Sequence, residues 1–271
     1  MSLRKSEKEL AFIQDLYVAT DWGERFATLI DENIELPKKG TVLYLGSATG
    51  THALSILEKS PKELNLVCVD ENQQCLEIAK SKANVLKVSP EFQRQQFDSL
   101  SFDDDSFDLV LADTSLVSPT RLPEILAEMV RVTAPGGTTA LTAATAASFG
   151  EFFSILWEAI MAAEIEGHDL DAESLITELP RVSDLEDIAR EYGLEEVASW
   201  TSNEEFVFPS GKDFLEAPVV ADFLMTEWLS NFEDEAERQR LLEQIQWIVD
   251  AERGGLDFIL SVKATVLSGR K

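Results

Sequence analysis

Residues 41–50, Thr-Val-Leu-Tyr-Leu-Gly-Ser-Ala-Thr-Gly, limit what this chain can fold into more than any other stretch. Thr41 to Leu45 form a short apolar, partly β-branched run, the pattern of a strand buried on both faces. Gly46-Ser47-Ala48-Thr49-Gly50 breaks that run, and Thr51-His52-Ala53-Leu54-Ser55-Ile56-Leu57 resumes with helical character. A strand, a tight turn of small residues and a helix bring backbone N–H groups close to a ligand. The partial positive charge at the helix N-terminus then favours an anionic group there. A small, at least partly anionic ligand is expected at this turn.

Spacing narrows the ligand. A dinucleotide-binding turn places glycines at its first, third and sixth positions. Here Gly46 and Gly50 are four apart, Ala48 stands between them, and position 51 is Thr. Downstream, Leu64 to Asp70 reads as a second buried strand closed by an acid, twenty residues after Gly50. Phe92 to Asp98 reads as a third strand, also closed by an acid, and Ser106 to Asp113 as a fourth. Leu122 to Val132 reads as a helix, Thr133-Ala134-Pro135-Gly136-Gly137 as a turn, and Thr138 to Thr142 as strand five. As an ordered set these motifs resemble those of class I S-adenosylmethionine-dependent methyltransferases, most closely the substrate-diverse type 11 group. The resemblance covers residues 15–145 and resumes near the C-terminus.

That resemblance implies an α/β fold, a Rossmann-like, seven-stranded, mostly parallel sheet with an antiparallel last strand and helices on both faces, to which this chain's own helical insertions would add a lid. It implies S-adenosylmethionine as cofactor. Gly46, Ser47, Ala48, Thr49 and Gly50 would hold the methionine portion, Asp70 the ribose hydroxyls and Asp98 the adenine amino group. Glu71 would line the adenine pocket, and Ala112 would meet the cofactor's amino group through its carbonyl. Two positions depart from the family pattern. Tyr44 stands where an acid usually orients the methionine end, and Ala48 replaces the central glycine. One reading is harmless variation, since both acids remain; the other is a non-catalytic binding or regulatory protein that kept the fold. An NAD-dependent oxidoreductase is disfavoured by the turn spacing and by the lack of a catalytic dyad.

Lys and Arg number 23 against 50 Asp and Glu, a formal net charge of −27. Residues 1–150 carry 14 basic and 22 acidic side chains, whereas residues 151–257 carry 6 and 28. Nucleic-acid binding relies on Lys and Arg neutralising phosphates, so a DNA, tRNA or rRNA substrate is excluded at this stage. A small-molecule acceptor is expected, with a cationic one as the sharper reading of the acids and a solvated acidic face as the plainer one. No apolar run reaches eighteen residues, so no membrane span is expected. The early charges at Arg4, Lys5 and Glu7 do not read as a signal peptide, and a cytoplasmic location is expected. Cys68 and Cys75 lack metal-ligand spacing and read as buried structural residues; no metal site is expected.

Four regions follow: 1–35, an N-terminal helical cover; 36–145, the cofactor-binding core; 146–181, a helical insertion forming a lid; and 182–271, the completion of the core with a second insertion at about 212–252. Tyr17 and Trp22 are candidates for the methionine end. Phe149 to Met161 repeats apolar residues at three- and four-residue steps, a helical stripe. Ser183 with Glu186 has capping-box spacing, and Gly193 suits a helix end. Glu195 to Phe208 reads as strand six, interrupted at Thr201-Ser202-Asn203. Phe214 to Trp228 and Glu235 to Ala251 read as helices and Leu256 to Leu267 as a last strand, which the family resemblance implies lies between strands five and six. Methyl transfer needs an in-line approach and, for a hydroxyl or protonated amine, a base. Asp113 is the weak candidate for that base, with His168 behind it; His52 opens the helix after Gly50, where the cofactor's tail or helix capping explains it better, and Asp103-Asp104-Asp105 reads as a solvated turn.

Overall fold

The computed structural model describes residues 5–60, 64–163, 165, 175, 178–252 and 256–271. His168 and the Gly167 beside it lie outside the described residues. The chain divides into two compact units, residues 1–143, 182–201 and 264–271 in the first and residues 144–181 and 202–263 in the second. The N-terminal helices therefore fold with the first unit, and the two insertions share the second.

Seven strands form one sheet in the order β3-β2-β1-β4-β5-β7-β6. They are β1 (Gly40–Leu45), β2 (Leu64–Asp70), β3 (Glu91–Arg94), β4 (Phe107–Asp113), β5 (Thr133–Ala144), β6 (Glu195–Phe208) and β7 (Phe258–Arg270). β1 pairs in parallel with β2 and β4, β2 with β3, and β4 with β5. The last strand runs antiparallel to β5: Gly136 N–H donates to the Lys271 carbonyl at 2.6 Å, and Lys271 N–H to the Gly137 carbonyl at 3.1 Å. Such an order needs crossover connections between parallel neighbours, and helices supply them.

In the first unit, α1 (Glu7–Ile13) runs into a π-turn over Gln14–Val18, and α2 (Trp22–Asn33) precedes β1. α3 (Thr51–Lys59) follows β1, α4 (Gln73–Leu86) follows β2, α5 (Leu122–Val132) follows β4, and α7 (Val182–Glu191) precedes β6. Alternation sends Leu43 and Leu45 of β1 to one face, where they join Val67, Val110, Leu126, Met129 and Leu185 in a single buried cluster. α3 and α4 lie against β2 on the other side. Cys68 in β2 and Cys75 in α4 are both buried and unpaired, and burial pushes each thiol up to about 12.

The second unit holds α6 (Gly150–Ala162), α8 (Gly211–Glu216), a π-turn over Val220–Leu224, α9 (Met225–Trp228) and α10 (Glu235–Glu252). Its core is aromatic. Phe152 stacks on Trp228 with ring centres 4.3 Å apart, and Phe214 meets Phe258 edge to face at 4.7 Å. Trp157 and Met161, members of the same apolar stripe, are exposed.

Several boundaries differ from expectation. β3 ends at Arg94, with only an isolated Gln96–Ser99 bridge beyond it, so Asp98 sits in a loop. The Pro135-Gly136-Gly137 turn is absorbed into β5, where the register shifts between Phe107 and Leu109. β6 passes through Thr201-Ser202-Asn203 without a break. α7 starts at Val182, placing Ser183 inside the helix; its hydroxyl faces Asp184 at 3.4 Å, and Glu186 instead accepts from Ser199 and Arg190. Phe214 to Trp228 is three short pieces, because Pro218 cannot donate an N–H and pushes Ala217 to an extended conformation. Among the described residues, no helix is long and apolar enough to cross a membrane.

Candidate functional site

The turn after β1 and the ends of β2 and β4 build the site, all within the first unit. Gly46 has φ +67°, and a Cβ there would stand 2.2 Å from the Asp113 carbonyl oxygen. Only glycine satisfies both demands. Gly50 has φ +78°, and a Cβ there would press to 2.9 Å on Ala79 of α4, so the turn is clamped between β4 and α4. Ala48 also adopts a left-handed conformation, φ +47°. An alanine tolerates that region at a cost near 1 kcal/mol.

The strain at Ala48 has a return. Its N–H donates to Asp70 Oδ2 at 2.8 Å, and Asn72 N–H donates to Asp70 Oδ1 at 2.8 Å. The Asp70 side chain is thereby fixed at the end of β2, 9 % exposed, with each oxygen keeping a second acceptor site. Burial raises its pKa to about 6, against the lowering effect of the two N–H donors; the negative charges of Glu71 and Asp113 push it further up. Ser47 N–H donates to the Val69 carbonyl at 3.1 Å and Gly50 N–H to the Ser47 carbonyl at 2.8 Å. With Ala48, three of the five N–H groups in the turn are thus engaged inside the chain. The turn contributes shape and a positioned acid more than a ring of free donors.

Beyond Asp70 the acids are organised by a residue that local sequence patterns did not single out, Arg121. Its guanidinium grips Glu71 bidentately, Nη1 to Oε2 at 3.1 Å and Nη2 to Oε1 at 2.5 Å. It also reaches Asp98 Oδ2 through Nε at 3.0 Å and Nη2 at 2.9 Å. Glu71 further accepts the Phe97 N–H at 3.2 Å, so it serves as a strut for this loop. Both contacts to Asp98 fall on one oxygen. The hydrogen bond to Glu71 is the main cause that raises the Arg121 pKa, with burial opposing.

A cavity of about 360 Å³ opens beside the turn, walled by Tyr44, Gly46, Ala48, His52, Asp31 and Asp113. Asp113 Oδ1 accepts from Ser115 N–H at 3.0 Å and from the Thr142 hydroxyl at 3.2 Å, while burial raises its pKa. Ala112 lies within the β1–β4–β5 ladder, its carbonyl 3.4 Å from the Thr142 hydroxyl; the carbonyl beside Gly46 is that of Asp113, one residue on. Tyr44 is buried and its hydroxyl lies 2.8 Å from His52 Nδ1. His52 Nε2 in turn lies 3.1 Å from Asp31 Oδ1, and Lys59 holds Asp31 Oδ2 at 3.0 Å. Burial would raise the Asp31 pKa, but the His52 and Lys59 hydrogen bonds outweigh it and lower the value.

The aromatic candidates separate. Trp22 is fully buried and its Nε1–H donates to the Ser115 hydroxyl at 2.9 Å, tying α2 to the segment after β4. Tyr17 is 57 % exposed. Lys82 bridges Asp15 of the π-turn to the Thr51 hydroxyl, at 2.9 Å from the latter, so the N-terminal segment is also pinned beside the turn. In the Asp103-Asp104-Asp105 loop, Asp104 pairs with Arg131 and Asp105 with Lys271, each at 2.7 Å.

These carboxylates, Asp31 and Asp113 on the cavity wall and Asp70 and Asp98 outside its lining, could serve as acceptors for a cationic end, a vicinal diol and an exocyclic amine. Asp70 has acceptor capacity for the diol, Asp98 an oxygen beyond its Arg121 contacts for the amine, and Asp31 with Asp113 a negative potential for the cationic end.

Residues 42–137 match a family described as a methyltransferase domain. The chain is 30 % identical over 122 residues to demethylmenaquinone methyltransferase of Deinococcus radiodurans, covering 45 % of this chain and 49 % of that protein. It therefore spans about half the length of that curated relative. Its fold is similar to the YcgJ protein of Bacillus subtilis, with a TM-score of 0.58 at 16 % identity, covering 92 % of this chain and 98 % of the other. It is also similar to phosphoethanolamine N-methyltransferase 2 of Haemonchus contortus, solved with S-adenosylhomocysteine. There the TM-score is 0.59 at 14 % identity, covering 100 % of this chain and 59 % of that one.

Proposed function

Starting from a chain whose residues 42–137 match the methyltransferase-domain family, we propose that this protein binds S-adenosylmethionine and transfers its methyl group to a small-molecule acceptor. The observation that carries this reading is the buried Asp70 carboxylate, held at the end of β2 by the N–H of Ala48 from the neighbouring glycine-bounded turn. Two oxygens, each with acceptor capacity left, match the two hydroxyls of a ribose. Asp98, steadied by Arg121, offers its remaining oxygen to the adenine amine, and Glu71 acts by holding Arg121.

The bound cofactor supplies a methyl group on a positively charged sulfur, an electrophile that needs alignment more than activation. Gly46 to Thr49 shape the wall beside it, and the carboxylates of Asp31 and Asp113 favour its cationic end. Asp113, buried and with its proton affinity raised, is the residue in reach to accept a proton from a hydroxyl or ammonium acceptor. The named relatives differ in their acceptors, one acting on demethylmenaquinone and another on phosphoethanolamine, so the acceptor class stays at small molecule. The net charge of −27 supports the same class over a nucleic acid.

Titration calorimetry of the full chain with S-adenosylmethionine, S-adenosylhomocysteine and NAD tests the reading. Micromolar binding of the two sulfur nucleosides with none of NAD is expected; binding of NAD alone would overturn it. Tyr44 in place of the family's acid favours one second reading, a binder without transferase activity. Methyl transfer from labelled cofactor to any acceptor in a small-metabolite panel separates the two.

A further inference from the structure

We infer that Tyr44, His52 and Asp31 form a hydrogen-bonded relay that turns the Tyr44 hydroxyl oxygen toward the cavity as an acceptor for the cationic amino group of its ligand. The relay rests on the reading of the cavity as the methionine end of an S-adenosyl site, and it accounts for a tyrosine where the family places an acid.

Three elements converge. Tyr44 comes from β1, two residues before Gly46; His52 comes from the first turn of α3; Asp31 comes from α2. Lys59 occupies Asp31 Oδ2 at 3.0 Å, which leaves Oδ1 for His52 Nε2 at 3.1 Å. A carboxylate can only accept, so Nε2 carries the hydrogen. In a neutral imidazole Nδ1 then has the lone pair, and it lies 2.8 Å from the Tyr44 oxygen. In that tautomer the tyrosine donates its single hydrogen to Nδ1. Its oxygen lone pairs are left for another donor, and all three residues line the same cavity with Asp113. Burial also holds Tyr44 protonated, with its pKa well above the ordinary value, so the oxygen acts as an oriented dipole and not as a charge. The negative charge that a carboxylate would have placed on β1 sits instead on Asp31, two hydrogen bonds away.

A ligand pair isolates the amino-acid portion: S-adenosylhomocysteine has it, and 5′-methylthioadenosine lacks it. Calorimetry of the Tyr44→Phe full-length protein should show S-adenosylhomocysteine weakened roughly tenfold, with 5′-methylthioadenosine within about twofold of the unaltered chain. Asp31→Asn keeps the shape, removes the charge and lies on a partly exposed side chain. It should weaken S-adenosylhomocysteine selectively by roughly threefold or more. A merely structural role would move both ligands together, and that outcome overturns the relay. Unchanged S-adenosylhomocysteine affinity in both variants overturns it equally. Failure of the unaltered chain to bind either nucleoside would instead remove the methyltransferase reading, and the relay with it.

Discussion

Ala48, held in a left-handed conformation at φ +47°, donates its backbone N–H to the buried carboxylate of Asp70 at 2.8 Å. This bond joins the turn after β1 to the end of β2. The local cost at residue 48 thus fixes the direction of the acid proposed to meet the ribose. Backbone strain retained where it aims a functional group is a recurring economy of binding sites.

Asp70 makes ligand affinity depend on pH. Its ionised form accepts from hydroxyls, and its pKa is raised from the ordinary 3.8 to about 6. S-adenosylhomocysteine affinity should hold from pH 8 to pH 7 and then fall about tenfold for each unit below 6. Calorimetry across pH 5–8 checks this, and a flat profile would dismiss Asp70 as the titrating contact.

The same shift has a stability consequence of opposite use. An acid with a raised folded-state pKa adds stability only while protonated: the contribution is full below 3.8 and is lost as pH rises through about 6. Ionised and empty, Asp70 is a liability. Asp70→Ala should therefore gain on the unaltered chain by on the order of 2 kcal/mol between pH 4.5 and pH 7. Urea denaturation at the two pH values measures it; a difference independent of pH contradicts the assignment.

Residues 46 and 48 should respond oppositely to an exchange of glycine and alanine. Gly46→Ala meets the Asp113 carbonyl at 2.2 Å as well as an unfavourable φ, and should cost about 3 kcal/mol or more. Ala48→Gly relieves a left-handed alanine at the expense of unfolded-state entropy, and should lie between neutral and about 1 kcal/mol stabilising. Thermal denaturation of the pair is the check. Equal destabilisation by both would refute the conformational account.

Arg121 should be energetically coupled to Glu71. Both side chains are only about 30 % exposed and meet through two hydrogen bonds. A double-mutant cycle of Arg121→Met and Glu71→Gln is expected to show about 1 kcal/mol or more of coupling, above the surface-pair norm. Strict additivity would show that the pair contributes geometry without energy.

Physical range explains which parts of this chain were legible in its sequence. β2 (Leu64–Asp70) and α5 (Leu122–Val132) end where the residue pattern ends, because hydrophobic periodicity is a local property set by which face is buried. The mostly parallel sheet with its antiparallel last strand follows from the ordered motifs taken together, not from any one of them. Ser183 failed as a cap because capping-box spacing also occurs inside helices, where it has no orphan N–H to meet. Pro218 did carry a readable signal, since a helix across Ala217-Pro218 was never a good prospect. Arg121 carried none: it lies 50 residues from Glu71 and 23 from Asp98, and only the folded chain brings them together. For His52 the sequence offers only its place at the start of α3, because its two ring partners, Tyr44 and Asp31, come from other elements.

The buried, weakly acidic thiols of Cys68 and Cys75 give the protein an internal clock. A thiol held at about 12 supplies almost no thiolate at neutral pH, and both cysteines are buried while β2 and α4 are packed. An alkylating reagent should therefore modify the chain only during excursions that open this part of the sheet. Its rate, slowed by a ligand that grips Asp70 at the end of the same strand, would read occupancy of the site without any knowledge of the acceptor.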